Sequence, residues 1–227
     1  MTSTPNLPQS QEGCTPTKTK ATQTRYDYYQ LIQSLETHGK SIYSQHFKID
    51  EVDKPVVIKL LAYFLCDEAV ATEEGLDLNK GIMLTGRIGC GKTSLMHLMR
   101  SLCAEAFRHT VVSCRNISFE FSRTGFDTIS KYSHSAFFPY SNIPRTYCFD
   151  DLGLETNMNF WGNNCCVMAE ILLSRYDLLV SNKMLTHVTT NLNSQELEEI
   201  YGNRLRSRMR AMFNLISFDV SSTDKRR

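Results

Sequence analysis

The chain has 227 residues, 41% of them hydrophobic, which is enough to close one core and too little for two large domains. Its 25 basic and 24 acidic residues leave a net charge of +1, which excludes nucleic-acid binding by bulk basicity and leaves only a local basic surface. The longest apolar run, Leu60 to Cys66, falls far short of the ~20 residues of a membrane span, and the N-terminus lacks the basic-then-apolar order of a secretory signal; a cytoplasmic protein with no membrane partner is expected.

Residues 1–24 are rich in Thr, Ser, Pro, Gln and Lys with almost nothing to bury, the composition of a disordered polar tail. Residues 25–52 read as an N-terminal helical segment, with Tyr28, Leu31, Ile32 and Leu35 on one face until Gly39 interrupts. The main domain is expected over 53–219. Its first helix starts at Asp53 as N-cap, has Pro55 in its first turn, turns Val56, Leu60, Leu61, Phe64 and Leu65 inward and ends near Gly75. Short apolar runs then alternate with helical patterns, the signature of a parallel sheet covered on both faces. The strands are expected at 82–85, 111–114, 147–150, 185–190 and 213–218, and the helices at 93–108, 167–179, 194–201 and 203–211, with Asn193 and Glu196 as a capping box. Residues 220–227 form a basic tail. Eight cysteines without a C-x-x-C pair point to packed free thiols rather than to zinc or disulfides.

Gly86-Arg87-Ile88-Gly89-Cys90-Gly91-Lys92-Thr93 fits G-x-x-x-x-G-K-T between an apolar strand and an apolar-periodic helix, with Ser94 next in line. Such a loop curls so that successive N–H groups face phosphates at a helix N-terminus, which implies ATP as ligand. Lys92 would reach the β- and γ-phosphates, and the Thr93 hydroxyl would ligate Mg²⁺. Tyr147-Cys148-Phe149-Asp150-Asp151 is an apolar run ending in two carboxylates. Ligands of open parallel sheets sit beyond the carboxyl ends of the strands, so Asp150 would reach the Mg²⁺ shell. Asp151, on the other side of the pleat, would orient or deprotonate the attacking water. Asn191 ends another strand at the same edge, where it could hold the lytic water or simply make a turn. Arg204, Arg206, Arg208 and Arg210 lie on one helix, Arg204 and Arg208 sharing a face. A solvated basic helix and an arginine given in trans to a neighbour's γ-phosphate both fit that run.

Taken together, the glycine loop, Asp-Asp-Leu-Gly-Leu-Glu at 150–155, Thr-Thr-Asn at 189–191 and Tyr-Gly-Asn-Arg-Leu-Arg-Ser-Arg-Met at 201–209 resemble the DnaC/IstB group of AAA+ proteins, bacterial helicase loaders and transposition helper ATPases. The similarity runs from about residue 55 to 218. It implies a three-layer α/β P-loop NTPase with a five-stranded parallel sheet in the order 5-1-4-3-2. Asp150 and Asp151 become the Walker B pair, Asn191 the sensor-1 residue, Arg208 the trans-acting finger and Arg204 a further arginine of the same box. It also implies ATP-driven assembly into a helical or ring oligomer, single-stranded DNA binding along its inner surface, and a replicative helicase or a transposase as partner. Nine residues follow Phe218, too few for the helical lid of most AAA+ proteins, and the helicase-loader group also lacks one.

The insert from Ile117 to Arg145 holds Phe119, Phe121, Phe126, Tyr132, Phe137, Phe138 and Tyr140 among basic residues. Bases stack on such rings and phosphates pair with such cations, but core packing is expected for most of the rings. Arg123 and Lys131 are the candidate DNA contacts. Two other functions use the same loop: an ATP-gated adaptor that scarcely hydrolyses, and a small-molecule kinase, which would need a lid and a substrate-binding element.

Overall fold

A computed structural model of the chain describes residues 26–103, 108–155, 158–160 and 163–225. The polar stretch 1–24 and residues 104–107 of the helix expected over 93–108 lie outside the described residues.

Helix α1 (Tyr28–Ile42) begins where the Asp27 carboxylate accepts a hydrogen bond from the Gln30 N–H at 3.1 Å. It does not stop at Gly39 as expected. That residue is buried against the Phe47 ring, into which a Cβ would collide, so the glycine serves close approach rather than termination. Helix α2 (Lys54–Phe64) carries Pro55 in its first turn, as expected. Asp53 stands at its N-cap position but makes no capping hydrogen bond among the described residues. The single helix expected to reach Gly75 is two. The chain turns at Cys66, where φ is 53°, and Asp67 caps α3 (Glu68–Glu73) by accepting from the Val70 N–H at 3.2 Å. A second good N-cap within an apolar run lets the backbone restart.

The central sheet contains β1 (Gly81–Thr85), β2 (Thr110–Ser113), β3 (Tyr147–Leu152), β6 (Thr186–Thr190) and β7 (Phe213–Ser217) in the order β2-β3-β6-β1-β7, all parallel. Counted as five core strands and read from the β7 edge, this is 5-1-4-3-2. A small antiparallel hairpin, β4 (Met158–Phe160) with β5 (Asn163–Cys165), stands outside it and is not legible as apolar runs. Side-chain alternation sets the layers. Ile82, Leu84, Cys148 and Ile216 cluster with α1, α2 and α4 (Lys92–Arg100), whereas Met83, Phe149 and Val188 cluster with the opposite layer. That layer holds α5 (Cys114–Thr124), α6 (Phe126–Tyr132), α7 (Val167–Asn182) and α8 (Ser194–Met212). Cys114, expected to end a strand, opens α5 instead. Asn193 and Glu196 form the expected capping box, and α8 breaks at Gly202, where two helices are expected.

Under α2, two buried histidines meet with ring centroids 5.1 Å apart, flanked by Phe64. His187 Nδ1 accepts the Ile82 N–H at 3.0 Å, and His109 Nε2 lies 2.9 Å from the Met96 carbonyl, to which it donates. Burial pulls His109 down to about 4 and His187 well below the ordinary histidine range. Both are neutral when folded, so the unfolded chain binds more protons below pH 6.5 and stability falls as pH falls. Between pH 7.5 and 5.0 each histidine is expected to cost about 2 kcal/mol. Urea unfolding at the two pH values measures this loss. The double variant His109→Gln, His187→Asn, which keeps the Nε2–H and Nδ1 hydrogen bonds without a titrating ring, should lose most of it.

Candidate nucleotide-binding site

The carboxyl ends of β1, β3 and β6 converge on one cleft of about 740 Å³, within the usual range for ligand sites. Between β1 and α4 the loop from Gly86 to Lys92 turns through left-handed glycines, Gly89 at φ 85° and Gly91 at φ 98°, the latter serving as N-cap of α4. No other residue type takes both conformations without strain. They direct the helix N-terminus at the cleft, while Ile88 projects from the loop tip at 64% exposure. Cys90 is buried beneath the loop, and the Ser94 carbonyl accepts the Tyr43 hydroxyl at 3.4 Å.

Lys92 is almost buried, and its ammonium donates to the Gly86 carbonyl at 2.8 Å, the Arg87 carbonyl at 3.0 Å and the Asn191 side-chain oxygen. Asn191 therefore reaches the same cation that the loop cradles, more than a turn asparagine would do. The Thr93 hydroxyl lies 3.0 and 3.1 Å from the two oxygens of Asp150, and the Thr189 hydroxyl donates to Asp150 Oδ1 at 2.6 Å. A threonine hydroxyl beside a carboxylate is an oxygen-only donor pair that suits a hard divalent cation such as Mg²⁺.

Asp151 does not take the far side of a regular pleat. The β3–β6 register shifts between Phe149 and Leu152, and Asp151 has φ 56°. Its N–H donates to the Thr189 hydroxyl at 2.9 Å, and the Thr190 hydroxyl donates to the Leu152 carbonyl at 2.7 Å. This bulge, held by two threonines of the neighbouring strand, places Asp151 in the lining of the cleft with Lys92 and Asn191. A left-handed non-glycine residue at such a place stores backbone strain of about 1–3 kcal/mol, a feature that clusters at functional sites. Thr189 and Thr190 enter the sequence reading only as part of the Thr-Thr-Asn run and receive no role there. Their signal is polarity at strand positions that face an interior.

Two further walls are not anticipated by the sequence. The rings of Tyr43 and Phe47, stacked with centroids 5.6 Å apart, line the cleft, and so do Thr223, Asp224 and Lys225. Glu155 accepts the Tyr201 hydroxyl and the Gly153 N–H, the latter at 2.7 Å, which ties the segment after β3 to α8.

The arginine run stands apart. Arg208 lies over the Tyr176 ring at 5.0 Å, Arg206 pairs with Glu198, and Arg204 and Arg210 are exposed. None of the four is among the described residues that line the cleft. In the insert, Lys131 pairs with Glu120 at 2.7 Å and Arg123 is exposed at the end of α5. Packing in the core, expected for most of the seven rings, holds for Phe121 and Tyr132, and Phe137 is half-buried, whereas Phe119, Phe126, Phe138 and Tyr140 are exposed. Arg115 sits over Phe119 and Arg145 over Phe138, each 5.2 Å from the ring centre. Phe119 meets a cation instead of the core because it rides the outer side of α5, and Phe138 because it lies in the exposed loop after α6.

This strand order, with a glycine loop after β1 and a carboxylate pair at the end of β3, is the AAA+ type of P-loop fold. Among solved structures the chain is similar to DnaI, at 19% identity and TM-score 0.50 over 75% of this chain and 87% of that one. It is likewise similar to AMPPCP-bound DnaA from Aquifex aeolicus, at 16% identity and TM-score 0.50 over 77% and 48%. The DnaC helicase loader aligns at 18% identity and TM-score 0.44 over 62% and 79%. No family model matches the chain, and no curated protein matches it. Likeness at these identities shows the fold. Among the described residues no helix is long and apolar enough to cross a membrane.

Proposed function

We propose that the chain is a Mg²⁺-dependent ATPase that assembles on single-stranded DNA and assists replication as a helicase loader, or transposition. The observation that carries this reading is the joined constellation of Lys92 with Asn191 and of Thr93 with Asp150 and Thr189 at the carboxyl edge of the sheet. The loop amides and Lys92 would bind the phosphate tail, as the AMPPCP held by the DnaA structure of the same fold encourages. Mg²⁺, held by Thr93 and Asp150, would neutralise charge on the β- and γ-phosphates. Asp151 would take the proton of the attacking water, and Asn191 would keep that water in line. Arg208, outside this chain's own cleft, suits a neighbour's γ-phosphate, and Arg204 on the same face would support it. The exposed Arg115–Phe119 pair and the exposed Phe138 ring beside the half-buried Arg145, with Tyr140, Arg123 and Lys131, offer stacking and charge to a single strand. The partner in this reading is a replicative helicase or a transposase, and the compartment is the cytoplasm.

ATP hydrolysis per subunit should rise with protein concentration and with added single-stranded DNA at fixed low salt. Arg208→Ala should keep ATP binding and lose the concentration-dependent rate by about a thousandfold. A variant that hydrolyses normally would sink the trans role. Hydrolysis indifferent to concentration and DNA alike would leave a nucleotide site without the assembly. Binding with negligible turnover under all conditions would favour the ATP-gated adaptor.

A further inference from the structure

Beyond β7 the chain turns back and crosses the glycine loop. The Phe218 N–H donates to the Thr85 carbonyl at 2.9 Å, and its side chain packs on Gly86, where an added Cβ would come within 2.8 Å of the Phe218 Cβ. Arg87 donates to the Val220 carbonyl at 3.3 Å. The Asp224 carboxylate lies against Gly89, and the Lys225 N–H donates to the Gly89 carbonyl at 3.0 Å. The far anchor is Asp53, which the sequence alone suggests as a helix cap. Its carboxylate is wholly buried, accepts the Ser222 hydroxyl at 2.5 Å and pairs with the Lys225 ammonium.

We propose that residues 218–225 are a built wall of the nucleotide site, a strap latched by Asp53 that holds the loop in its phosphate-binding curl. The proposal rests on the nucleotide-binding reading above. A buried carboxylate is costly unless it is both paired and hydrogen-bonded, and here both partners come from the strap. The loop peptide between Gly89 and Cys90 is held from two sides, since the Cys90 N–H donates to the Arg87 carbonyl at 3.4 Å while Lys225 takes the Gly89 carbonyl. A planar peptide pinned at both ends fixes the turn. The strap is a wall and not a plug, because the cleft stays open with Thr223, Asp224 and Lys225 beside Lys92 and Thr93 in its lining. Loosening the strap must therefore weaken binding. A plug would give the opposite sign.

The test uses the full chain, Mg²⁺ and methylanthraniloyl-ATP in an equilibrium fluorescence titration, with amide hydrogen exchange of residues 218–225 followed with and without Mg²⁺-ATP. Lys225→Met is expected to weaken affinity by about tenfold, and Lys225→Arg, which keeps the ion pair, by less than about threefold. Nucleotide should slow exchange across the strap in the parent chain and much less in Lys225→Met. If Lys225→Met melts early, Ser222→Ala, which removes one hydrogen bond to Asp53, takes its place with an expected loss of about threefold. Unchanged or tighter binding by the folded latch variant overturns the strap, as does strap exchange that ignores nucleotide. Lys92→Ala, run in parallel, separates the failures: undiminished binding there removes the nucleotide site itself, while a silent latch beside a damaged Lys92 variant removes only the strap.

Discussion

Replacing Lys92 with alanine is expected to weaken ATP binding by about a hundredfold or more while the chain stays folded. The ammonium is almost buried, surrounded by the carbonyls of Gly86 and Arg87 and the side-chain oxygen of Asn191. In that setting each charge-assisted hydrogen bond to a phosphate oxygen is worth about 1.5–3 kcal/mol, and two of them account for about a hundredfold or more in affinity. Folding should be affected less. Asn191 lines the open cleft, Gly86 is half-buried and Arg87 is exposed, so water can replace the lysine at the acceptors it leaves, and a loss of about 1 kcal/mol is expected. Equilibrium titration with a fluorescent ATP analogue, paired with a urea melt, reads both quantities. Affinity equal to that of the parent chain would refute the phosphate-loop assignment, and with it every role given to Thr93, Asp150 and Asn191.

The parts of this site that are legible in sequence are those whose chemistry is local. Glycines at 86, 89 and 91 with Lys92 and Thr93 specify a loop and a helix start within eight consecutive residues, and nothing distant has to be known. Strand β1 and the first half of β3 are legible because two covered faces demand apolar residues on both sides. Strand alternation puts Asp151 on the wrong side of a pleat because its bulge depends on Thr189 and Thr190, which reach across from another strand. Asp53 reads as a cap because Asp-x-Pro is locally a helix start, and the side chains that bury it lie 169 and 172 residues away. Gly39 misleads for a related reason, since only the Phe47 ring packed on it explains why the helix continues. The exposed rings of the insert show a third kind of limit. Composition counts aromatics, but the face each one takes is decided by packing that it does not contain.

Arg175→Met is expected to destabilise the fold by about 4 kcal/mol, although the residue is far from the glycine loop and carries no sequence signal of importance; the figure is the sum of the unpaired acceptors it would leave. It is wholly buried on α7 and lies over the rings of Tyr147 and Phe149, 5.4 and 5.6 Å from their centres. Its Nε donates to the Thr186 hydroxyl at 2.6 Å, and its two terminal nitrogens donate to the carbonyls of Tyr132, Leu185 and Arg145 at 2.9, 2.7 and 3.1 Å. Burial pushes its pKa down to about 9, so it remains a cation at neutral pH. One guanidinium thus joins the end of α6, the approach to β3 and the start of β6, at the sheet edge opposite the cleft. Two effects of opposite sign follow from its removal. Methionine relieves the desolvation of a charge, which in a buried ion pair can make an apolar replacement nearly neutral. Here, however, three of the four acceptors are backbone carbonyls, which no substitution can remove. Each left unpaired costs about 1–3 kcal/mol, and the second effect wins. The conservative variant Arg175→Lys should recover less than half of the loss, because a single ammonium cannot span acceptors arranged around a planar fork. Urea unfolding supplies the measurement, and nucleotide affinity per folded molecule should stay unchanged, which separates this residue from Lys92 and Lys225. A loss below about 1 kcal/mol for Arg175→Met would mean that water reaches these carbonyls once the guanidinium is gone, and that the join between insert and sheet does not depend on the arginine.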